Sequence, residues 1–171
     1  MKFKPMFTFA LLFYTTLSFQ LYADKDIPTC LDQKSQVLPI DSNRVIRLKS
    51  TTANQFLTRA HIQGEIVKIY PDRNGHDHFS ISIGPLAEDT LEVVYNSDFG
   101  SLGELKEGMT VEACGDYITS NAPTSQYQPS PDGAIIHWVH RSKNPRKHAN
   151  GYLMVNGSLY GGFTPPTKPT N

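Results

Sequence analysis

Between Arg59 and Ile83 the chain twice writes a period of two. Ala60, Ile62, Gly64 and Ile66 alternate with His61, Gln63, Glu65 and Val67; then Phe79, Ile81 and Ile83 alternate with His76, His78, Ser80 and Ser82. Successive side chains of a strand point to opposite faces, so each run is a half-buried strand with one apolar wall. Gly64 falls where a barrel strand must bend, and Pro71-Asp72-Arg73-Asn74-Gly75 between the runs is a turn by its chemistry. Residues 91–96, 110–118 and 134–140 supply three more strands. Five short strands, a glycine in the first and loops after the first and fourth predict an all-β, five-stranded OB-type barrel over residues 59–160. Too few strands remain for two packed sheets.

The flanks read differently. Lys2 and Lys4, an apolar run from Met6 to Phe19 and a small Ala23 before Asp24-Lys25-Asp26 have the layout of a secretory signal peptide over residues 1–23. The run is short for a membrane span, so cleavage leaves a periplasmic or secreted protein with no span. Residues 24–58 form an N-terminal leader in which Asp41-Ser42-Asn43 caps a short helix through Leu48. Asn156-Gly157 suits the turn of an added hairpin within residues 151–160, and residues 161–171, with three prolines, form a disordered tail. Loss of the signal removes two lysines and leaves 14 basic against 16 acidic residues, so nucleic acid could be met only through a local basic patch.

Two cysteines in an exported chain suggest one disulfide, Cys30 to Cys114. Alternation over residues 110–117 places Cys114 with Glu112 and Asp116 on the polar face, which favours a bridge over a core thiol. Closing so long a loop stabilises by roughly 4 kcal/mol in the chain-entropy model. Two free thiols are the alternative.

Chemistry concentrates in residues 133–151, GAIIHWVHRSKNPRKHANG, which hold three of the six histidines and the only tryptophan. One expectation is a metal-assisted hydrolase of the phosphodiesterase or nuclease kind. His76 and His78, two apart on a strand face, and His137 form a ligand set for Zn²⁺ or Mn²⁺. His137, His148, Arg146 and Asp98 carry the catalytic roles, with Arg146 or Arg141 meeting developing negative charge and Asp77 or Asp98 available as base or ligand. Strand alternation, however, puts Trp138 and His140 on one face and His137 and Arg141 on the other, unless the strand ends or bulges near Val139.

The other expectation is a non-catalytic module for single-stranded nucleic acid or another polyanion. OB-folds carry such ligands across the second and third strands, where His76, His78, Ser80 and Ser82 lie, with Arg73 and Tyr127 on flanking loops. Tyr127 would stack, while Asn96, Trp138, His140 and Arg141 complete the binding surface. An interaction role in a cell-envelope assembly is a third possibility that no residue singles out.

The motifs at Gly64 to Asp72, His76 to Phe79, VYNSD at Val94 to Asp98, Gly108 to Tyr117 and HWVH at His137 to His140, followed by Arg146, His148 and Gly151, resemble an uncharacterised bacterial secreted family, domain of unknown function 3465. The similarity covers about residues 60–160 and implies an OB-type barrel outside the cytoplasm, without an established activity. Where that family tends to have His-Asn this chain has Tyr95-Asn96, and for Asp-Pro it has Asn144-Pro145; both changes remove a potential ligand or base.

Overall fold

The computed structural model describes residues 27–144 and 148–163. The expected signal peptide over residues 1–23, Arg146, Lys147 and residues 164–171 of the expected tail lie outside the described residues. After a short leader come helix α1 (Ser42–Thr51) and strands β1 (Leu57–Arg73), β2 (His76–Ser82), β3 (Thr90–Asn96), β4 (Thr110–Thr119), β5 (Ala134–His137), β6 (Tyr152–Val155) and β7 (Ser158–Tyr160). A 3₁₀ turn, Ser97–Phe99, follows β3. The protein is thus mostly β, with seven strands in one sheet: the five expected ones and the β6–β7 hairpin turned by Asn156-Gly157, which the sequence also signalled.

Five of the strands close on themselves. They run β1-β2-β3-β5-β4, and β4 returns to β1. Antiparallel pairing holds throughout except between β3 and β5, which are parallel. The closure is possible because β1 serves two partners: residues 57–65 pair with β4 and residues 65–73 with β2. Gly64 is the corner. A Cβ there would stand 2.2 Å from the carbonyl oxygen of Ser82, so only glycine lets β1 cross β2 this closely.

The predicted turn over residues 71–75 proves shorter. β1 runs on through Pro71 to Arg73, and Asn74 and Gly75 alone, both with positive φ, make the reversal. Proline cannot donate to a ladder, and the register shifts between Tyr70 and Arg73, a bulge that accommodates it.

The expected inward faces form the core. Ala60, Ile62, Ile66, Phe79, Ile81, Leu91, Val93, Val111, Ala113, Tyr117 and Ile136 are buried inside the ring. Helix α1, capped by Asp41 whose carboxylate accepts from the Arg44 amide at 2.8 Å, plugs one end by burying Val45 with Ile46 and Leu48 packed beside it. Lys49 of the helix reaches the carbonyls of Glu88 and Thr90, and the hydroxyl of Thr52, its C-cap, meets that of Thr119, all at strand ends remote from His76, Asn96 and His137. The opposite end is left to the histidines.

Cys30 and Cys114 are disulfide-bonded, with Cα atoms 5.7 Å apart and 84 residues of separation. The face of β4 that carries Cys114 is not open to water as its polar neighbours suggested: Cys114 is 0% exposed. The leader covers it, building a second cluster from Cys30, Cys114, Tyr152 and Leu159 with Ile27, Leu38, Met154 and Phe163 around them. Arg59, also buried, binds the layers together. Its guanidinium donates to Asp116 Oδ1 at 2.9 Å, to the Asn150 carbonyl at 2.6 Å, to Cys114 Sγ at 3.1 Å and to the Leu31 carbonyl at 3.2 Å. A buried guanidinium is tolerated only when its donors are met in this way. Beside it, Tyr152 and His61 both reach Glu112 Oε1, at 2.6 and 2.9 Å, and hold that carboxyl below its usual range. No helix among the described residues is long and apolar enough to cross a membrane.

The Gly64→Ala variant should lose at least about 2 kcal/mol, a fall in Tm of roughly 4–8 °C, because the new methyl has only backbone to displace. An unchanged melting temperature by calorimetry would show that β1 and β2 do not cross so closely.

Candidate functional site

The site grows from a gap on one edge of β4. Strand β5 leaves that edge at the pair Asp116–His137, and β6 rejoins it at Cys114–Tyr152. Only Gly115 lies between, and residues 138–144 and 148–151 lie outside both strands. Trp138 makes the exit. Its φ of +51° is a left-handed conformation that a bulky side chain adopts only under constraint, so β5 ends at His137 and not at His140 as the strand pattern predicted.

That single turn resolves the conflict of faces. With the alternation broken at Trp138, Val139 drops into the core at 0% exposure, and His137, Trp138 and His140 all line one pocket. Three glycines hold the turn by letting bare backbone approach it. A Cβ at Gly115 would stand 2.5 Å from the His137 carbonyl, at Gly151 2.2 Å from that of Trp138, and at Gly161 2.8 Å from that of Val139. Hydrogen bonds from the Gly151 amide to the His140 carbonyl and from the Arg141 amide to the Gly161 carbonyl, both 2.8 Å, complete the frame.

The pocket, about 190 Å³, is walled by His76, Asn96, Phe99, His137, Trp138, His140, Lys143 and His148. Its rings are packed as aromatics. His140 stacks on Phe99 with centroids 3.8 Å apart, and His137 stacks on Trp138 at 4.7 Å. His76 meets His137 edge-on at 5.4 Å, and His140 meets His148 at 5.5 Å. The Lys143 ammonium lies 5.0 Å from the centre of Phe99. Asn96 caps the 3₁₀ turn, its side chain accepting from the Asp98 amide at 2.9 Å, and so sets Phe99 in place.

Hydrogen bonds assign the tautomers. Nδ1–H of His76 donates to the Asn74 carbonyl at 3.0 Å, that of His140 to the Arg141 carbonyl at 2.8 Å and that of His148 to the Ala149 carbonyl at 3.1 Å, leaving each Nε2 an acceptor. Burial, with the neighbouring imidazoles, pushes the pKa of His137 down to about 4. His140 is lowered too, by burial first and by the charges of His148 and Lys143, against the opposing bond to Arg141. Neutral imidazole is the form that ligates metal or accepts a proton.

Other expected residues lie elsewhere. His78 does not line the pocket; its ring donates to Glu92 Oε1 at 2.7 Å, and Arg73 spends its charge on the same carboxylate at 3.2 Å. Burial alone would raise Glu92, but the bonds from His78 and Ser130 and the charge of Arg73 hold it below its usual range. Asp77 and Asp98 are not among the lining residues, and no carboxylate is. Tyr127 is exposed on the loop before β5, and Arg141 lies over Phe163 at 5.9 Å. Phe99 was missed, because nothing in SDFG marks one phenylalanine as a wall. The glycine frame was missed as well, although glycines at 115, 151 and 161 around an HWVH motif are a readable sign of backbone held close. Among the described residues, no three His, Cys, Asp or Glu side chains are placed to hold a metal ion.

Ring and pocket together define a small, mostly β protein with an imidazole- and aromatic-lined site at one end. The chain belongs to the family described as protein of unknown function (DUF3465), whose model matches residues 36–161. No curated protein and no solved structure matches it.

In metal-free protein, the His137 imidazole should stay neutral down to about pH 5. Its folded pKa lies below the unfolded value near 6.5, so the unfolded chain binds the extra proton first and stability falls as pH drops from 6.5 toward 4. An NMR titration of the ring resonances checks this; a midpoint near 6.5 would remove the burial argument.

Proposed function

We propose that this chain is an exported OB-type barrel protein whose end pocket binds a divalent transition-metal ion, Zn²⁺ or Mn²⁺, through its imidazoles and hydrolyses a phosphate ester held beside Trp138 and Lys143. The observation that carries this reading is the gathering of His76, His137, His140 and His148 around one small cavity, with His137 and His140 biased toward the neutral form. Imidazole donors suit these ions, and the pairs His76–His137 and His140–His148 are the ligand candidates. Because no three such donors are placed to hold an ion among the described residues, loading requires the two pairs to draw together.

A bound ion supplies Lewis-acid polarisation of a phosphoryl oxygen and an ionised water near neutral pH. The protein's own residues do the rest. Lys143 brings positive charge to the pocket wall, Trp138 offers a stacking face, and an imidazole of the pocket that does not hold the ion accepts a proton at its free ring nitrogen. Arg146 remains a candidate for the charge that develops on phosphorus oxygens.

The ring order β1-β2-β3-β5-β4, closed on β1 with β3 and β5 parallel, supports the OB assignment. The disulfide and the basic, apolar, small order of the first 23 residues support export to the periplasm or beyond. A second reading, a non-catalytic binder of single-stranded nucleic acid or another polyanion, is favoured by the pocket's stacked rings and lack of a carboxylate.

Calorimetric titration of chelator-treated protein with Zn²⁺ and Mn²⁺ decides between them. About one ion per chain should bind, raising Tm by roughly 5–10 °C at a hundredfold excess over Kd. His137→Asn and His148→Ala should each weaken binding at least about tenfold, and hydrolysis of a phosphodiester should follow metal content. Absence of both heat and a Tm shift would sink the metal reading and leave the binder.

A further inference from the structure

The end pocket is lined by hydrogen-bond acceptors that have nothing to accept. Nδ1–H of His76 and of His140 is spent on the carbonyls of Asn74 and Arg141, at 3.0 and 2.8 Å, so each ring keeps a bare lone pair on Nε2. Neither Nε2 has a hydrogen-bond partner among the described residues. His137, on the same wall, makes no hydrogen bond among them at either nitrogen, and one of the two is therefore a further acceptor. His148 adds another, which Ser142 Oγ approaches only at 3.5 Å.

Donors on these walls are fewer. Asn96 gives its Oδ1 to the Asp98 amide at 2.9 Å and keeps both N–H groups of its own amide, and Lys143 contributes an ammonium. An acceptor left unmet in a partly dry pocket is costly, and only a proton donor meets it. That requirement sorts ligands by chemistry. A phosphodiester has no proton to give, and its oxygens would face imidazole lone pairs. The amino group of a base gives two from a single nitrogen. Adjacent hydroxyl groups give one each from neighbouring atoms, and every such oxygen can still accept from Asn96 or Lys143. At about 190 Å³ the pocket is below the roughly 300–1,000 Å³ of sites for drug-sized ligands, which suits one sugar ring and not a chain.

We infer that the end pocket, without any ion, binds a single neutral sugar residue through adjacent hydroxyl groups, which donate to Nε2 of His76 and His140 while Asn96 and Lys143 donate back. The apolar C–H face of the sugar lies against the ring edges of Phe99 and Trp138, which share the lining. Sugar binding stands apart from the metal reading. An ion held by these imidazoles would use the same lone pairs, so ion and sugar exclude each other.

The imidazole nitrogens report occupancy directly, because an unprotonated ring nitrogen moves upfield in ¹⁵N NMR when it begins to accept a hydrogen bond. Purified chain labelled at histidine and treated with chelator is titrated with glucose, galactose and mannose, and separately with inorganic phosphate. At least one hexose should move the Nε2 signals of His76 and His140 saturably, and phosphate should move neither. His140→Phe keeps a ring on Phe99 and removes the acceptor, so it should weaken that hexose roughly tenfold, as should His76→Phe. Circular dichroism confirms that each variant is folded, and the titration of the unaltered chain stands without them. No saturable shift with any of the three hexoses overturns the inference. So does hexose binding that both folded variants retain, or a phosphate response where no hexose gives one. Zn²⁺ added to the hexose complex should release the sugar; Zn²⁺ that neither binds nor displaces it sinks the metal reading and leaves the sugar site.

Discussion

The crossing of β1 over β2 at Gly64 is the constraint on which the rest of the molecule depends. A flat strand could pair with β2 or with β4, and the sheet would then have open edges. Because β1 bends at a residue without a side chain, its two halves serve both partners and the ring closes. Closure puts the start of β2, the end of β3 and the end of β5 at a common rim. His76, Asn96 and His137 are neighbours for that topological reason, although they are far apart in the chain.

A second close approach, at the gap in the edge of β4, converts the rim into a pocket. The left-handed turn at Trp138 costs on the order of 1–2 kcal/mol for a residue with a side chain. Three glycine contacts, the burial of Val139 and two backbone hydrogen bonds offset that cost. What the turn achieves is specific: two histidines and a tryptophan that a continuous strand would scatter over both faces are brought to one side.

Alternation made the fold legible. The inward residues of β1, β2 and β4 could be read from the period of two, and the hairpin of β6 and β7 from Asn156-Gly157, because local chemistry dictates both. The site was half legible. His76, His137, His140, His148, Trp138 and Asn96 could be nominated by residue type, yet their convergence depends on a φ angle at Trp138 that no local pattern announces. His78 looked like a metal ligand and Arg73 like a contact for a polyanion, yet both pair with Glu92, buried on the neighbouring strand. Long-range partners of this kind are invisible to a reading that sees one strand at a time. The bridge to Cys114 was legible, but its burial was not, since its polar neighbours suggested water and the leader supplied a lid.

Cys30 precedes the region matched by the family model, yet its sulfur is fastened to β4 one residue from the gap where the pocket loop emerges. The same strand edge receives Arg59, which grips both the leader and the carbonyl of Asn150 at the base of that loop. Oxidation therefore does more than shorten the unfolded chain; it locks a clasp between the N-terminal segment and the wall that carries His148. Closure of the bridge and fixing of that wall are one covalent event.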